Sequence, residues 1–112
     1  MIIFISAQQQ DADSHIDPRF GRAACLLSYD IATKEWQAFE NPGLRQSGGA
    51  GVAAAQFVID RHADVVLSGD FGPNASSALK AAGVEMSLFP QDAQTARQAL
   101  EHFLLKNMRD TA

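Results

Sequence analysis

The sequence predicts a single α/β domain, in which helices cover one mixed sheet. Nearly continuous apolar runs at residues 2–6 and 64–68 are typical of strands that are covered on both faces. A hairpin pattern lies between these runs, and from Gly43 onward helical patterns alternate with strands. The length of 112 residues and the 46% of hydrophobic residues suit one domain with a substantial core.

The first part of the chain is predicted to hold three strands that meander antiparallel. The first strand, residues 2–6, precedes a polar loop over 7–22. Long loops inside compact domains are commonly functional, so this loop is a candidate part of a site. Cys25–Asp30 and Glu35–Glu40 alternate in the manner of a hairpin, and the antiparallel part is expected to end at Pro42.

The second part is predicted to alternate helices and strands. Val52, Ala55 and Ile59 recur at helical spacing and predict a helix over 50–62 with these side chains inward. Strands are predicted at 64–68 and 84–88. The helix between them, at 74–82, is expected to end at a Gly83 cap and to bury Ala75, Ala78, Leu79 and Ala82. A last helix is expected to be capped by Asp92 and to end near Lys106, with Ala96, Leu100 and Phe103 facing inward. The domain is expected to cover residues 1–106, and the tail 107–112 is expected to fray.

Composition argues against several classes of partner. A formal net charge of −4 disfavours general affinity for nucleic acid or for anionic membranes. The apolar start of the chain is short and lacks a basic leader, so it is interpreted as a strand rather than as a signal or a membrane span. The single cysteine, Cys25, rules out an internal disulfide and suits a reducing cytoplasm.

Three loops rich in small residues are expected to meet at one edge of the sheet, at residues 19–22, 48–51 and 68–75. If the first strand lies parallel to strand 64–68, the loops that follow both strands open on the same edge, and the helix that starts at Ala50 begins there too. Free N–H groups at the helix starts, together with loop arginines, favour an anion, although loop arginines are often only solvated. The Gly-Gly-Ala-Gly run lacks the Lys-Ser/Thr of a P-loop, so no nucleotide is expected.

Five motifs, at residues 17–23, 40–42, 48–51, 69–75 and 79–83, together resemble the dinitrogenase iron-molybdenum cofactor biosynthesis family. The resemblance runs in order over about residues 1–105. It implies a ribonuclease H-like three-layer α/β domain with a mixed five-stranded sheet, in the order β-β-β-α-β-α-β-α, and helices on both faces. It also implies a non-catalytic protein that binds, stores or delivers a preformed molybdenum- or iron-containing sulfide cluster, with cluster donor and acceptor proteins as partners.

The three loops and the resemblance together supply the candidate site. The residues expected to bind the cluster are Arg19, Phe20, Gly21, Arg22, Arg45, Gly48, Gly49, Ala50, Gly51, Asp70, Phe71, Gly72, Pro73 and Asn74. His15 and Cys25 are the candidate metal ligands. Family members often carry histidine where this chain has Arg19, whose guanidinium would pair with an anionic cluster instead.

The supply of ligands favours a weakly held cargo. A conventional iron–sulfur cluster needs about four cysteine thiolates, and the chain has one cysteine. A cluster must therefore be held mainly without covalent bonds, be shared between subunits, or carry its own sulfide ligands, and a weakly ligated carrier is the favoured interpretation. The cluster is expected to be absent from the purified protein. The protein itself is expected to be a monomer or a weak homodimer. Asp70 would repel an anion and is expected to turn back into the loops, where it would bond backbone N–H groups or an arginine.

Two other functions remain open at this point. One is a protein-interaction or regulatory module without metal, which Phe20 and Phe71 favour if they form a pair of exposed aromatic anchors. The other is a metal-dependent nuclease that uses Asp70. The first predicted strand supplies no second carboxylate for such an enzyme.

Overall fold

The structure is a computed structural model that describes residues 1–111, with side chains described for residues 1–107. A short 3-10 helix at Pro42–Arg45 precedes the first α-helix. The strands and helices, in chain order, are β1 (Ile2–Ala7), β2 (Cys25–Asp30), β3 (Glu35–Glu40), α1 (Ala50–Asp60), β4 (Val65–Ser68), α2 (Pro73–Ala81), β5 (Glu85–Leu88) and α3 (Ala96–Thr111).

The five strands form one mixed sheet in the order β3-β2-β1-β4-β5, which confirms the predicted α/β class. Strands β1, β2 and β3 pair antiparallel, whereas β4 lies parallel to both β1 and β5. Ile3 pairs with Val65 and Ile5 with Leu67, so β1 and β4 end at the same edge of the sheet. This register brings the loop after β1 beside the loop after β4, as expected.

Alternation along β1 divides the core into two clusters. Ile3 and Ile5 lie in a buried cluster to which α3 contributes Ala96, Leu100 and Phe103, as the sequence predicts. Phe4 points to the other cluster, which contains buried residues of α1 and α2. Because both faces of β1 are covered, the near-continuous apolar run of this strand is explained.

The buried face of α1 differs from the prediction. Val52 is 44% exposed, and Ala54 and Val58 are buried together with Ala55, while Ile59 is only half-buried. The reason is that the first turn of α1 borders a cavity instead of the sheet. The helix also ends at Asp60, because the next residues turn into a left-handed conformation at His62, with φ of 62°.

The later helices also depart from the expected boundaries. Ala82 follows the end of α2 and is exposed, because the chain there enters the turn through Gly83, whose φ is the expected positive value, 76°. Helix α3 begins after Thr95, whose Oγ1 accepts the Gln98 N–H at 3.2 Å, so Thr95 and not Asp92 provides the side-chain cap. The helix continues to Thr111, beyond the expected end, and residue 112 of the predicted tail lies outside the described residues.

Candidate functional site

A cavity of about 350 Å³ lies at the edge where β1 and β4 end. It is lined by residues 19–22, 49–52 and 70–75, and is here called the loop cavity. The lining thus combines the three loops that the sequence predicts to meet. The following contacts explain why each loop is held there.

The loop after β1 is bound to the end of β4. The Pro18 carbonyl accepts the N–H groups of Gly69 at 3.1 Å and of Asp70 at 2.6 Å, and also the Ser68 hydroxyl at 3.3 Å. In return, the Phe20 N–H donates to the Asp70 carbonyl at 3.1 Å. These bonds continue strand-like pairing past β4 and bring the first two loops into contact.

Two buried serines anchor the same loop from below. Ser6 and Ser68 are fully buried at the ends of β1 and β4, and their Oγ atoms lie 2.7 Å apart. The Ser6 hydroxyl also donates to the Asp17 carbonyl at 2.7 Å, and the Asp17 N–H donates to the Ser6 carbonyl at 3.0 Å. Buried hydroxyls need such partners, so these polar residues fix the loop without leaving an unsatisfied group.

Glycines let the loops approach closely. A Cβ on Gly21 would lie 2.7 Å from the backbone nitrogen of Gly51, and a Cβ on Gly43 would overlap the Gly21 carbonyl oxygen. A Cβ on Gly51 would stand 3.2 Å from the Ala75 Cβ. The start of α1 is therefore packed between the first loop and the start of α2.

Both helix N-termini at the loop cavity lack a side-chain cap. Gly49 precedes α1 with φ of 73° and Gly72 precedes α2 with φ of 75°. The first helical bonds run from Ala53 to Gly49 and from Ser76 to Gly72. Within residues 1–107, the earlier N–H groups of both helices therefore have no intramolecular acceptor. Such groups carry partial positive charge and can donate hydrogen bonds to an anion.

Arg19 lines the loop cavity but is already paired. Its Nε lies 3.3 Å from Asp17 Oδ1 and its Nη2 lies 3.2 Å from Oδ2. The hydrogen bond to Asp17, and then the charge of that carboxylate, raise the pKa of the guanidinium. The Asp17 side chain is 7% exposed and that of Arg19 67%, so one face of the guanidinium remains open to solvent.

Of the other two arginines, only Arg22 lines the loop cavity. Its Nη1 donates to the Gln46 carbonyl at 2.9 Å, which ties the first loop to the segment before α1. Arg45 lies outside the loop cavity, because its guanidinium pairs with Glu40 at 2.9 Å. Gly48 also lies outside it, because the lining in this part of the chain begins at Gly49. Arg45 and Gly48, which the sequence placed in the site, therefore do not line the loop cavity.

Asp70 turns back into its own loop, as expected. Its Oδ1 accepts the Gly72 N–H at 3.1 Å, which closes the turn before α2. The side chain thus shapes the loop that presents the α2 N-terminus.

The two aromatic residues do not form a pair of exposed anchors. Phe20 is fully buried, and only Phe71 is partly accessible, with ring centroids 5.4 Å apart. The expectation that favoured an interaction module on these two residues was therefore wrong. Phe20 belongs to the core beneath the loop cavity and supports Phe71 from below.

Neither candidate metal ligand lines the loop cavity. His15 is exposed in a bridge to Thr95, near the start of α3. Cys25 is buried in the core at the start of β2, where burial, and secondarily the charge of Glu40, raise the pKa of its thiol and disfavour the thiolate that metals require. Among the described residues, no three histidine, cysteine, aspartate or glutamate side chains are grouped to hold a metal ion.

Sequence reasoning missed three contributors to the site. Val52 and Ala75 line the loop cavity because each lies in the first turn of its helix, next to a predicted residue. The third is the Asp17 side chain, which reaches Arg19 from beneath. An aspartate two residues before another polar residue in a turn is the available signal, because such side chains commonly accept backbone N–H groups two positions later. The Arg19 N–H does donate to Asp17 Oδ1, at 3.0 Å.

The fold and the loop cavity define a small α/β domain with a preformed pocket at the end of its parallel strands. The profile of the dinitrogenase iron-molybdenum cofactor family matches residues 1–106, and the chain belongs to this family. This finding confirms the resemblance noted in the sequence.

Solved structures similar to the chain include the following two. The apo form of the orange protein from Desulfovibrio gigas is 38% identical, with a TM-score of 0.86 over 94% of this chain and 88% of that protein. A putative NifB protein from Thermotoga is 23% identical, with a TM-score of 0.77 over 93% of this chain and 87% of that protein, and supports the fold alone. No curated protein matches the sequence. None of the described helices has the length and apolar character needed to cross a membrane.

Proposed function

We propose that this protein is a non-catalytic carrier that binds a preformed, anionic metal–sulfur cluster in the loop cavity, for cofactor biosynthesis, storage or delivery. The cargo class is a molybdenum- or iron-containing sulfide cluster. Family membership supports a role connected with the iron–molybdenum cofactor. The geometry of the loop cavity supports the mode of binding.

One observation carries the proposal: the uncapped N-termini of α1 and α2 open into a single cavity. Two helix dipoles and their free N–H groups would stabilise negative charge without contributing a covalent ligand. Phe71 and Pro73 lie beside these donors and offer apolar contact to a large, polarisable anion. A cluster that brings its own sulfide ligands satisfies both requirements, because the sulfides accept the N–H groups.

The absence of a ligand cluster among the described residues supports reversible binding. A cargo held by hydrogen bonds and partial charges can leave intact, whereas thiolate ligands would have to be exchanged one by one. We accordingly propose cluster donor and acceptor proteins as the partners of a cytoplasmic monomer or weak homodimer. Neither nucleotide, nucleic acid nor membrane is part of the proposal, and we propose that the fold belongs to the ribonuclease H-like three-layer class.

Anaerobic reconstitution tests the proposal. The protein is incubated with tetrathiomolybdate, alone and with iron or copper salts, and passed through a gel-filtration column. Protein-bound molybdenum, measured by elemental analysis together with visible absorption, is the expected result. Protein that emerges colourless and free of metal under every condition would refute the carrier function.

A further inference from the structure

We infer that Asp17 determines the ligand selectivity of the loop cavity, by neutralising Arg19 so that the cavity prefers sulfide-coated anions to oxyanions of equal charge. This inference rests on the proposed function. Asp17 does not itself line the loop cavity, so it acts through Arg19 as a positioning residue.

The geometry fixes the Asp17 carboxylate beneath Arg19. The backbone of Asp17 is bonded in both directions to Ser6, and its side chain is almost wholly buried. Both carboxylate oxygens accept N–H groups of Arg19, at 3.0 to 3.3 Å. The guanidinium therefore turns its Nε edge inward, and its remaining N–H groups are left at the rim of the loop cavity.

This pairing leaves the site with little net charge. The charged residues that line the loop cavity are Arg19, Arg22 and Asp70. When the carboxylate of Asp17 is included, two positive groups are balanced by two negative ones. The attraction that remains comes from the helix N-termini and from directed N–H groups.

A neutral site discriminates between anions by the cost of removing their water. A small oxyanion is strongly hydrated and needs a full opposing charge to offset the loss of that water. A sulfide-coated anion of the same charge is larger and less strongly hydrated, so helix N-termini and apolar contact are sufficient. Without the Asp17 carboxylate, the full charge of Arg19 would favour the oxyanion most.

Tetrathiomolybdate and molybdate are matched probes, because both are tetrahedral dianions. Equilibrium dialysis with molybdenum analysis measures the ratio of their dissociation constants. The wild-type protein is expected to bind tetrathiomolybdate more tightly, and Asp17→Asn is expected to reduce this preference about tenfold, the scale of one charge-assisted hydrogen bond. Adding Arg19→Gln to Asp17→Asn should restore the preference, because the pair is then neutral again.

The exposed pair Arg97–Asp13, with 2.8 Å between Nε and Oδ1, provides the control. Asp13→Asn changes the net charge equally but lies outside the loop cavity, so it should leave the preference unchanged. An unchanged preference in folded Asp17→Asn, or an equal loss in Asp13→Asn, would overturn the inference and leave the carrier function intact. Wild-type protein that binds neither probe would instead refute the carrier function.

A competition experiment covers the case in which Asp17→Asn does not fold, which circular dichroism detects. Molybdate is added to the wild-type protein already loaded with tetrathiomolybdate. Retention of the thiomolybdate at equal concentrations is the expected result. Its displacement by molybdate would overturn the inference without any variant.

Discussion

Gly21 and Gly51 face each other so closely that a Cβ on Gly21 would lie 2.7 Å from the Gly51 nitrogen and 2.9 Å from its Cα. The obstacle is backbone on both counts, so no side chain can turn aside to make room. Gly21 lies in the loop between β1 and β2, and Gly51 lies in the first turn of α1. This contact holds two walls of the loop cavity against each other.

Gly21→Ala should therefore destabilise the protein by about 2 kcal/mol or more, because loop and helix must separate. Denaturant unfolding measures the change. Gly48→Ala is the matched control: its Cβ meets no atom within 4 Å, and the substitution should change stability by less than about 1 kcal/mol. Equal stability of the two variants would contradict the close contact.

Asn74→Asp should weaken tetrathiomolybdate binding. The substitution preserves shape and places a carboxylate in the first turn of α2, where it lines the loop cavity. A negative charge at a helix N-terminus is stabilising, so the midpoint of thermal unfolding should stay the same or rise. The affinity for tetrathiomolybdate should fall about tenfold, because the new carboxylate repels the anion. Gln91→Glu makes the same change on an exposed loop outside the cavity and should bind as the wild type does. Undiminished binding by Asn74→Asp would show that the α2 N-terminus does not contact the anion.

Arg45→Gln should leave binding unaltered, although the sequence groups Arg45 with the other loop arginines. Its ion pair with Glu40 is exposed and lies outside the loop cavity, so the loss of stability should stay below about 1 kcal/mol. Arg22→Gln removes a cavity-lining charge and the bond to Gln46, and should reduce thiomolybdate binding measured by dialysis. If Arg45→Gln weakened binding more than Arg22→Gln did, the anion would lie beside Arg45 instead.

Ionisation of Cys25 should lower the free energy of unfolding at alkaline pH. Burial raises the pKa of this thiol in the folded protein, so the folded state holds the proton more tightly than the unfolded chain. Its contribution is complete below the ordinary thiol pKa, about 8.5, and is lost as the pH rises above it. Cys25→Ala should remove that part of the decline. If the wild type and Cys25→Ala lost stability equally at alkaline pH, the raised pKa would be contradicted. Thiomolybdate binding near neutral pH should be unchanged by the substitution.

The convergence of the loops at one edge was predictable, because it follows from strand direction. Once β1 and β4 are parallel, the loops after them must open together, and α1 must start near the same edge. This topology predicts that the loops containing Gly21 and Gly51 lie at the same edge. The order of the strands in the sheet could also be predicted, because the antiparallel strands and the parallel unit lie on opposite sides of the first strand.

Side-chain pairing was less accessible, because it depends on atoms that sequence spacing does not locate. Arg45 pairs with Glu40 across a turn, and Arg19 pairs with Asp17 within a turn. Sequence spacing alone does not distinguish these two arginines. The inward face of α1 was misassigned for a related reason. A helix start that borders a cavity exposes an apolar residue such as Val52, and periodicity does not reveal which turn does so.

The segments that cover the two faces of β1 occur at different points along the chain, and this order has a consequence for synthesis. All residues that line the loop cavity lie before residue 76, whereas α3, which shields Ile3 and Ile5, begins only at Ala96. During translation, every wall of the cavity leaves the ribosome while one side of its supporting strand is still bare to water. The support beneath the cavity is therefore complete only when α3 docks against β1.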